Sequence, residues 1–163
     1  SYSITEILNK LSNINGEIVT TPLEEIQKDE LLTEQLFRLL KKNYELTHLH
    51  NEASDFSWQE WRDMLYDDNP HLQFSKVVVQ KGQVGGYIFI HPILETECEI
   101  GWVGKSIEFP LVYVLKQQLL ELQAAGYTMV GFEIDTTDHF AYEFAEFLQL
   151  EQQESWNSYM KNF

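Results

Sequence analysis

Cysteine is all but missing from this chain. Cys98 stands alone, which excludes an internal disulfide and suits a reducing compartment such as the cytoplasm. Its neighbours Glu97 and Glu99 raise the pKa of a thiol, so Cys98 is expected to be structural rather than nucleophilic. Basic residues are scarce too, with 11 Lys and Arg against 26 Asp and Glu and a net charge of −15. Lys41-Lys42 is the only adjacent basic pair. Phosphate backbones are held by clustered cations, so no nucleic acid and no anionic membrane surface is expected as a partner. No apolar run approaches the ~18–20 residues that span a bilayer. The first residues, Ser1-Tyr-Ser-Ile-Thr-Glu6, lack the basic and apolar regions of a secretion signal. Repeats, low-complexity tracts and Pro/Gly/Ser-rich linkers are absent, so residues 1–163 read as one domain. His48 and His50 diverge on a helix, and His71, His91 or His139 would have to converge on them from elsewhere, so no metal site is expected.

What remains is a chain that can pack. Hydrophobic residues make up 44% and aromatics 13%, enough for a substantial core. Ile4, Ile7, Leu8 and Leu11 fall at helical spacing, and Gly16 closes an N-terminal helical extension over 1–16. Glu17–Thr21 alternates as a first strand. A long helix follows from about Glu24 or Lys28 to Leu49, with Leu31, Leu32, Gln35, Leu36, Leu39, Leu40 and Tyr44 as its apolar face. Ser57 and Glu60 have the spacing of a capping box. They open a helix through Trp58, Trp61, Met64 and Leu65 that Asp67-Asp68-Asn69-Pro70 stops. Phe74–Gln80 and Val84–Ile90 flank Lys81-Gly82 as a hairpin, and Glu97–Val103 is the next strand. Pro110–Ala125 is a helix whose buried side carries Leu111, Val114, Leu115, Gln118, Leu119 and Leu122, with Gly126 as its C-terminal glycine. Met129–Ile134 is a short buried strand. Phe140–Leu150 reads as a helix and Ser155–Met160 as a closing strand. The order predicts an α/β fold of α+β character, a mixed sheet with an antiparallel meander and helices on both faces.

Three segments carry a family resemblance over roughly Glu17 to Phe163. They are Val84-Gly-Gly-Tyr-Ile-Phe-Ile90, Glu99-Ile-Gly-Trp-Val103, and Asp138-His-Phe-Ala141 with Glu146-Phe-Leu-Gln-Leu150. In that order they resemble the third strand, the fourth strand and the last helix of the GNAT superfamily of N-acetyltransferases. The resemblance implies transfer of an acyl group from acetyl-coenzyme A to a small-molecule or peptide amine. It implies a pantetheine arm along Ile100, Gly101, Trp102 and Val103, with Thr128–Ile134 as the opposite wall. The family's phosphate loop, of the type Arg/Gln-x-x-Gly-x-Gly/Ala, corresponds here to Ser106-Ile-Glu-Phe-Pro-Leu111. Ser106 and Leu111 bound that loop, Phe109 and Leu111 replace its glycines, Pro110 has no amide hydrogen, and Glu108 adds a negative charge. Asp138, at the start of the last helix, joins the implied cofactor set and suits an N-cap. Glu99 is the implied base. Tyr142 is the implied acid, one helical turn before the family's usual position, which is Ala145 here. The stretch Asn51–Asp68 borders the implied acceptor pocket, where Asp55, Trp58 and Trp61 form an acidic, aromatic rim for a cation. Helical spacing gives Trp58, Trp61 and Leu65 an alternative place in the core. The degenerate loop leaves a second expectation open, a non-catalytic binding or regulatory module on the same fold. The acidic surface or a sheet edge leaves room for a homodimer.

Overall fold

A computed structural model of the chain describes residues 1–47, 55–106 and 111–133. The expected last helix with Asp138 and Tyr142, the expected strand 155–160, His48, His50 and residues 107–110 lie outside the described residues. Six strands and five helices are found among the described residues: β1 (Tyr2–Ser3), α1 (Ile4–Lys10), β2 (Thr20–Pro22), α2 (Leu23–Ile26), α3 (Glu30–Thr47), α4 (Trp58–Asp67), β3 (Lys76–Gln80), β4 (Gln83–Leu94), β5 (Glu97–Lys105), α5 (Val112–Ala124) and β6 (Met129–Phe132). The strands form one sheet in the order β1-β6-β5-β4-β3-β2. All neighbours are antiparallel except β5 and β6, which run parallel with Glu97 beside Met129 and Ile100 beside Phe132. The meander β3–β4–β5 and the crossover through α5 are therefore as the sequence predicts.

Local chemistry accounts for the elements. Lys81 and Gly82 both take left-handed backbone, φ 53° and 74°, as a two-residue hairpin turn requires. Ser57 and Glu60 make the reciprocal capping box that starts α4. At the end of α5 the amides of Gly126 and Tyr127 bond the carbonyls of Gln123 and Leu122, at 3.1 and 3.0 Å.

Each face of the sheet carries its own core. On one face α1 and α5 bury Ile4, Ile7, Leu115 and Leu119 against Val78, Ile88, Ile90, Cys98, Ile100, Val103 and Val130. On the other α2, α3 and α4 bury Leu23, Ile26, Leu36, Phe37, Leu40, Trp61 and Leu65 against Val77, Tyr87 and Phe89.

Four expectations need correction. The N-terminal helix covers only Ile4–Lys10, because Tyr2 and Ser3 pair with Val130 and Met129 instead. The strand expected at Glu17–Thr21 forms at Thr20–Pro22, where Ser75 and Lys76 are within reach. The apolar face of α3 is turned relative to the expected one. Leu31 is 65% exposed while Phe37 and the polar Thr33 and Asn43 are buried. Trp61 is fully buried, so it belongs to the core and lines no rim.

The position of the site depends on one irregularity in β5. Phe89 pairs with Trp102 and Ile90 with Ile100, so β5 carries one residue too many, Gly101. Such a bulge reverses the alternation of side chains beyond it. Cys98 and Ile100 point to the α1/α5 core, and strict alternation would send Trp102 there too. Across the bulge Trp102 instead packs on the α3/α4 side, and Val103 takes the place beneath α5.

Candidate functional site

The α4-facing side of the sheet collects an unusual set of groups where β5 meets β6. Glu99 lies opposite His91 on β4 and beside Gly131 on β6. Glu133 follows β6, and its amide bonds the carbonyl of Ile100 at 3.0 Å. Gly131, beside Glu99, carries no side chain, while the His91 ring covers Gly101. The protonated Glu99 donates to Glu133. Asp68, the C-cap of α4, brings its Oδ2 to 3.3 Å from His91 Nε2. The two are too poorly aligned for a hydrogen bond, so this is a contact of charge and dipole.

Electrostatics follow from this crowding. Burial pushes the Glu99 carboxyl up to about 7, and the negative charges of Glu133, Asp68 and Glu97 and the hydrogen bond to Glu133 act in the same direction. Burial holds His91 below the usual imidazole range, against the opposing pull of Asp68 and Glu133. Glu97 accepts a hydrogen bond from the Ser1 hydroxyl. A carboxyl group that titrates near neutrality is suited to accept a proton at physiological pH.

Space for a reactant lies next to this group. A cavity of about 390 Å³ is lined by Met64, Leu65, Asp67, Asp68 and Trp102. Asp68 borders both the cavity and the carboxyl–imidazole cluster. A larger cavity, about 710 Å³, lies at the opposite end of the sheet between Glu17–Val19, the β3–β4 turn and Ser106. The smaller cavity is the one that Asp68 joins to the carboxyl–imidazole cluster. Among the described residues no three His, Cys, Asp or Glu side chains gather to hold a metal.

The expected site residues divide into those brought together and those not. Glu99 and Trp102 lie at the site. Ile100 and Val103 bury their side chains under α5 and offer only backbone. Asp55 is exposed. Trp58 is flanked by the guanidinium groups of Arg38 and Arg62, 5.9 and 5.5 Å from its ring centre, and these are the only two arginines of the chain. The aromatic partner that a bound cation would want there is therefore already occupied. Cys98 is fully buried, and burial lifts its thiol to about 12, as befits a structural residue. His91 and Glu133 join this cluster without having been among the expected site residues, whereas Asp68 belongs to the acidic stretch expected at the acceptor pocket.

The backbone of this region can be tested against an acyl-thioester cofactor. Pairing of β5 with β6 among the described residues ends at the Glu133–Ile100 bond, yet β5 runs on to Lys105. On its other side Trp102–Gly104 pairs with Tyr87–Phe89 of β4. Ser106 fits such a cofactor poorly, because its amide is bonded to the Gly85 carbonyl at 3.0 Å. Leu111 is buried at the start of α5 and has no polar side chain to offer.

Comparison with known proteins gives one firm result. No family model matches the sequence, and no curated protein matches it. Among solved structures, the chain is similar to an aminoglycoside acetyltransferase from an uncultured soil metagenomic sample, solved in complex with sisomicin. The TM-score is 0.52 at 15% identity, over 84% of this chain and 90% of that one. At that identity the likeness concerns the fold. With the mixed sheet, meander and crossover described above, the chain has a GNAT-like fold.

Proposed function

We propose that the protein is an N-acyltransferase that transfers an acyl group, acetyl in the first instance, to an amine. The observation that supports this most is Glu99, a carboxyl on β5 that burial and the neighbouring Glu133 push up to about 7. Acetyl-coenzyme A would supply the acyl group as an activated thioester. An amine in water is protonated and unreactive, so the acceptor must lose a proton before attack. Glu99 receives that proton on its carboxylate. Glu133 holds Glu99 in place and makes it a stronger base than an isolated glutamate. Asp67 and Asp68 at the rim favour a cationic acceptor, and their pull weakens as salt screens it. The fold likeness makes an aminoglycoside a sensible first acceptor to try. The lone, buried Cys98 suits a reducing cytoplasm, and the net charge of −15 disfavours nucleic acid.

A second reading has its own observation. The Ser106 amide is already bonded to Gly85, which favours a module that keeps the fold without binding the cofactor's diphosphate. One experiment separates the two. The chain is incubated with acetyl-coenzyme A and a panel of amines that includes an aminoglycoside, and thiol release is followed. Amine-dependent release, reduced about 100-fold or more in kcat/KM by Glu99→Gln, supports the enzyme. Absence of release with every amine, together with no binding of acetyl-coenzyme A, supports the module.

A further inference from the structure

Trp102 owes its place in the smaller cavity to the bulge at Gly101. Strict alternation would send the indole beneath α1 and α5. Across the bulge it stands on the α4 side and forms a wall of the space of about 390 Å³. The core braces this wall from behind. The fully buried Trp61 meets Trp102 edge to face, with ring centres 5.9 Å apart at 82°, and Tyr44 lies 6.4 Å away. Core packing thus sets the orientation of a half-buried ring whose remaining surface is apolar. Met64 and Leu65 continue the apolar lining from α4.

The end of α4 supplies the opposite character. Asp67 is its last residue and Asp68 its C-cap, both line the cavity, and the last turn carries no basic residue. Acidic groups at this end face the negative pole of the helix, where a cation is the favourable occupant. Two aspartates there break the local rule, as residues at functional positions often do. The backbone amides nearby are already used. The Asp68 amide bonds the Met64 and Leu65 carbonyls, and the Asn69 amide bonds that of Tyr66. Among the described residues the lining side chains therefore offer two carboxylates, hydrocarbon and an indole, with the indole N–H as the one side-chain donor.

We propose that the acceptor is a small primary amine on an apolar frame, an arylalkylamine or alkylamine, and that Trp102 is the residue that selects it. This rests on the acyltransfer reading and concerns the same cavity. The ammonium meets Asp67 and Asp68 at the helix end, and the frame lies on Trp102, Met64 and Leu65. A polyhydroxylated amine of the aminoglycoside kind fits worse. Hydroxyl groups set against indole and thioether give up bonds to water, and the only strong acceptors among the described lining side chains are the two aspartates. A space of about 390 Å³ is also near the lower end for a small-molecule site and suits a compact ligand.

The test uses the full chain and two readouts, one independent of turnover. The first is tryptophan emission during titration with straight-chain alkylamines of increasing length and with 2-phenylethylamine. Affinity is expected to rise about two- to fourfold with each added methylene until the cavity is filled. Trp102→Ala is expected to weaken 2-phenylethylamine about tenfold or more and methylamine hardly at all. Trp102→Phe, which keeps an aromatic wall, is expected to retain affinity and lose most of the emission change, and it reports the contact even if Trp102→Ala does not fold. The second readout is thiol release from acetyl-coenzyme A, where kcat/KM for 2-phenylethylamine is expected to exceed that for an aminoglycoside about tenfold or more. Affinity indifferent to chain length, an emission change that survives in Trp102→Phe, or preference for the aminoglycoside overturns the proposal. Apolar amines that bind at Trp102 without thiol release would leave the ligand class standing and remove the acyltransfer reading. Thiol release with the aminoglycoside preferred would do the reverse, and neither binding nor release would remove both.

Discussion

Glu99→Gln should make the protein more stable and less active, and the gain should depend on pH in a set direction. An ordinary glutamate titrates at 4.5, and Glu99 in the folded chain titrates at about 7. Below the lower value the carboxyl is protonated in folded and unfolded chains alike, so it adds nothing. Between the two values the unfolded chain releases its proton while the folded chain keeps it, and stability falls as pH rises. Above the upper value both are ionised and the cost stays constant. A shift of this size corresponds to at most ~3.4 kcal/mol at ~1.36 kcal/mol per pH unit. Glu99 is partly exposed, and solvent screening reduces this to about 1–2 kcal/mol. Glutamine keeps the hydrogen bond to Glu133 and cannot ionise. Thermal unfolding near pH 4.5 should show little difference between variant and wild type. At about pH 8 the variant should melt about 3–6 °C higher. Activity should fall at least about 100-fold, as expected for loss of a general base. A melting difference that does not grow with pH would refute the assigned environment. A stabilised variant with intact turnover would refute the role of Glu99 as base.

Three further outcomes follow from the same geometry. Gly101→Ala places a methyl 2.7 Å from His91 Nδ1 and 2.8 Å from Cε1, so the ring must shift; denaturant unfolding should show a loss of about 1–3 kcal/mol. Trp61→Ala should cost about 3–5 kcal/mol in the same assay, because Trp61 is core; a raised KM with unchanged stability would return it to the acceptor rim. Acetyl-coenzyme A at about 100 times its Kd should stabilise the chain by about 2.7 kcal/mol, and a melting temperature indifferent to the cofactor would favour the non-catalytic module.

Much of this architecture can be read from local pattern, because local chemistry sets it. The hairpin at Lys81-Gly82, the Ser57–Glu60 box and the buried face of α5 each depend on residues within a few positions of one another. Glu99 was reached through the family resemblance, as the implied base. Its partners were not. Asp67-Asp68 reads as a helix stop, and α4 does end at Asp67 with Asp68 as its C-cap, but nothing nearby shows that Asp68 reaches His91. Glu133 meets Glu99 only through the parallel register that sets Glu99 beside Gly131, and no local periodicity encodes such a register. One signal was available: Glu99-Ile-Gly101 and Gly131-Phe-Glu133 each place a glutamate two residues from a glycine, on strands expected to be neighbours. The bulge at Gly101 was hidden because a strand pattern assumes unbroken alternation. β1 was hidden because two residues are too few to show a period, and Ile4 onward carries a clear helical one.

The pairing of Tyr2 and Ser3 with the strand that ends at Phe132 ties the start of the described chain to its far end, and the Ile4 amide adds a 2.9 Å bond to the Thr128 carbonyl. On a ribosome these partners appear in a fixed order. The meander β3–β4–β5 closes through short loops and can form while synthesis continues, whereas the β5–β6 seam must wait for α5 and β6, at ~5–20 residues per second. Until then the first residues have no strand to join, and closing so long a loop is slow. Glu99 is thus made early, on a strand whose β6 edge is still open, and gains its partner carboxyl only when that edge is closed. In order of synthesis the meander therefore precedes the site, and β5 is the edge left open until β6 pairs with it.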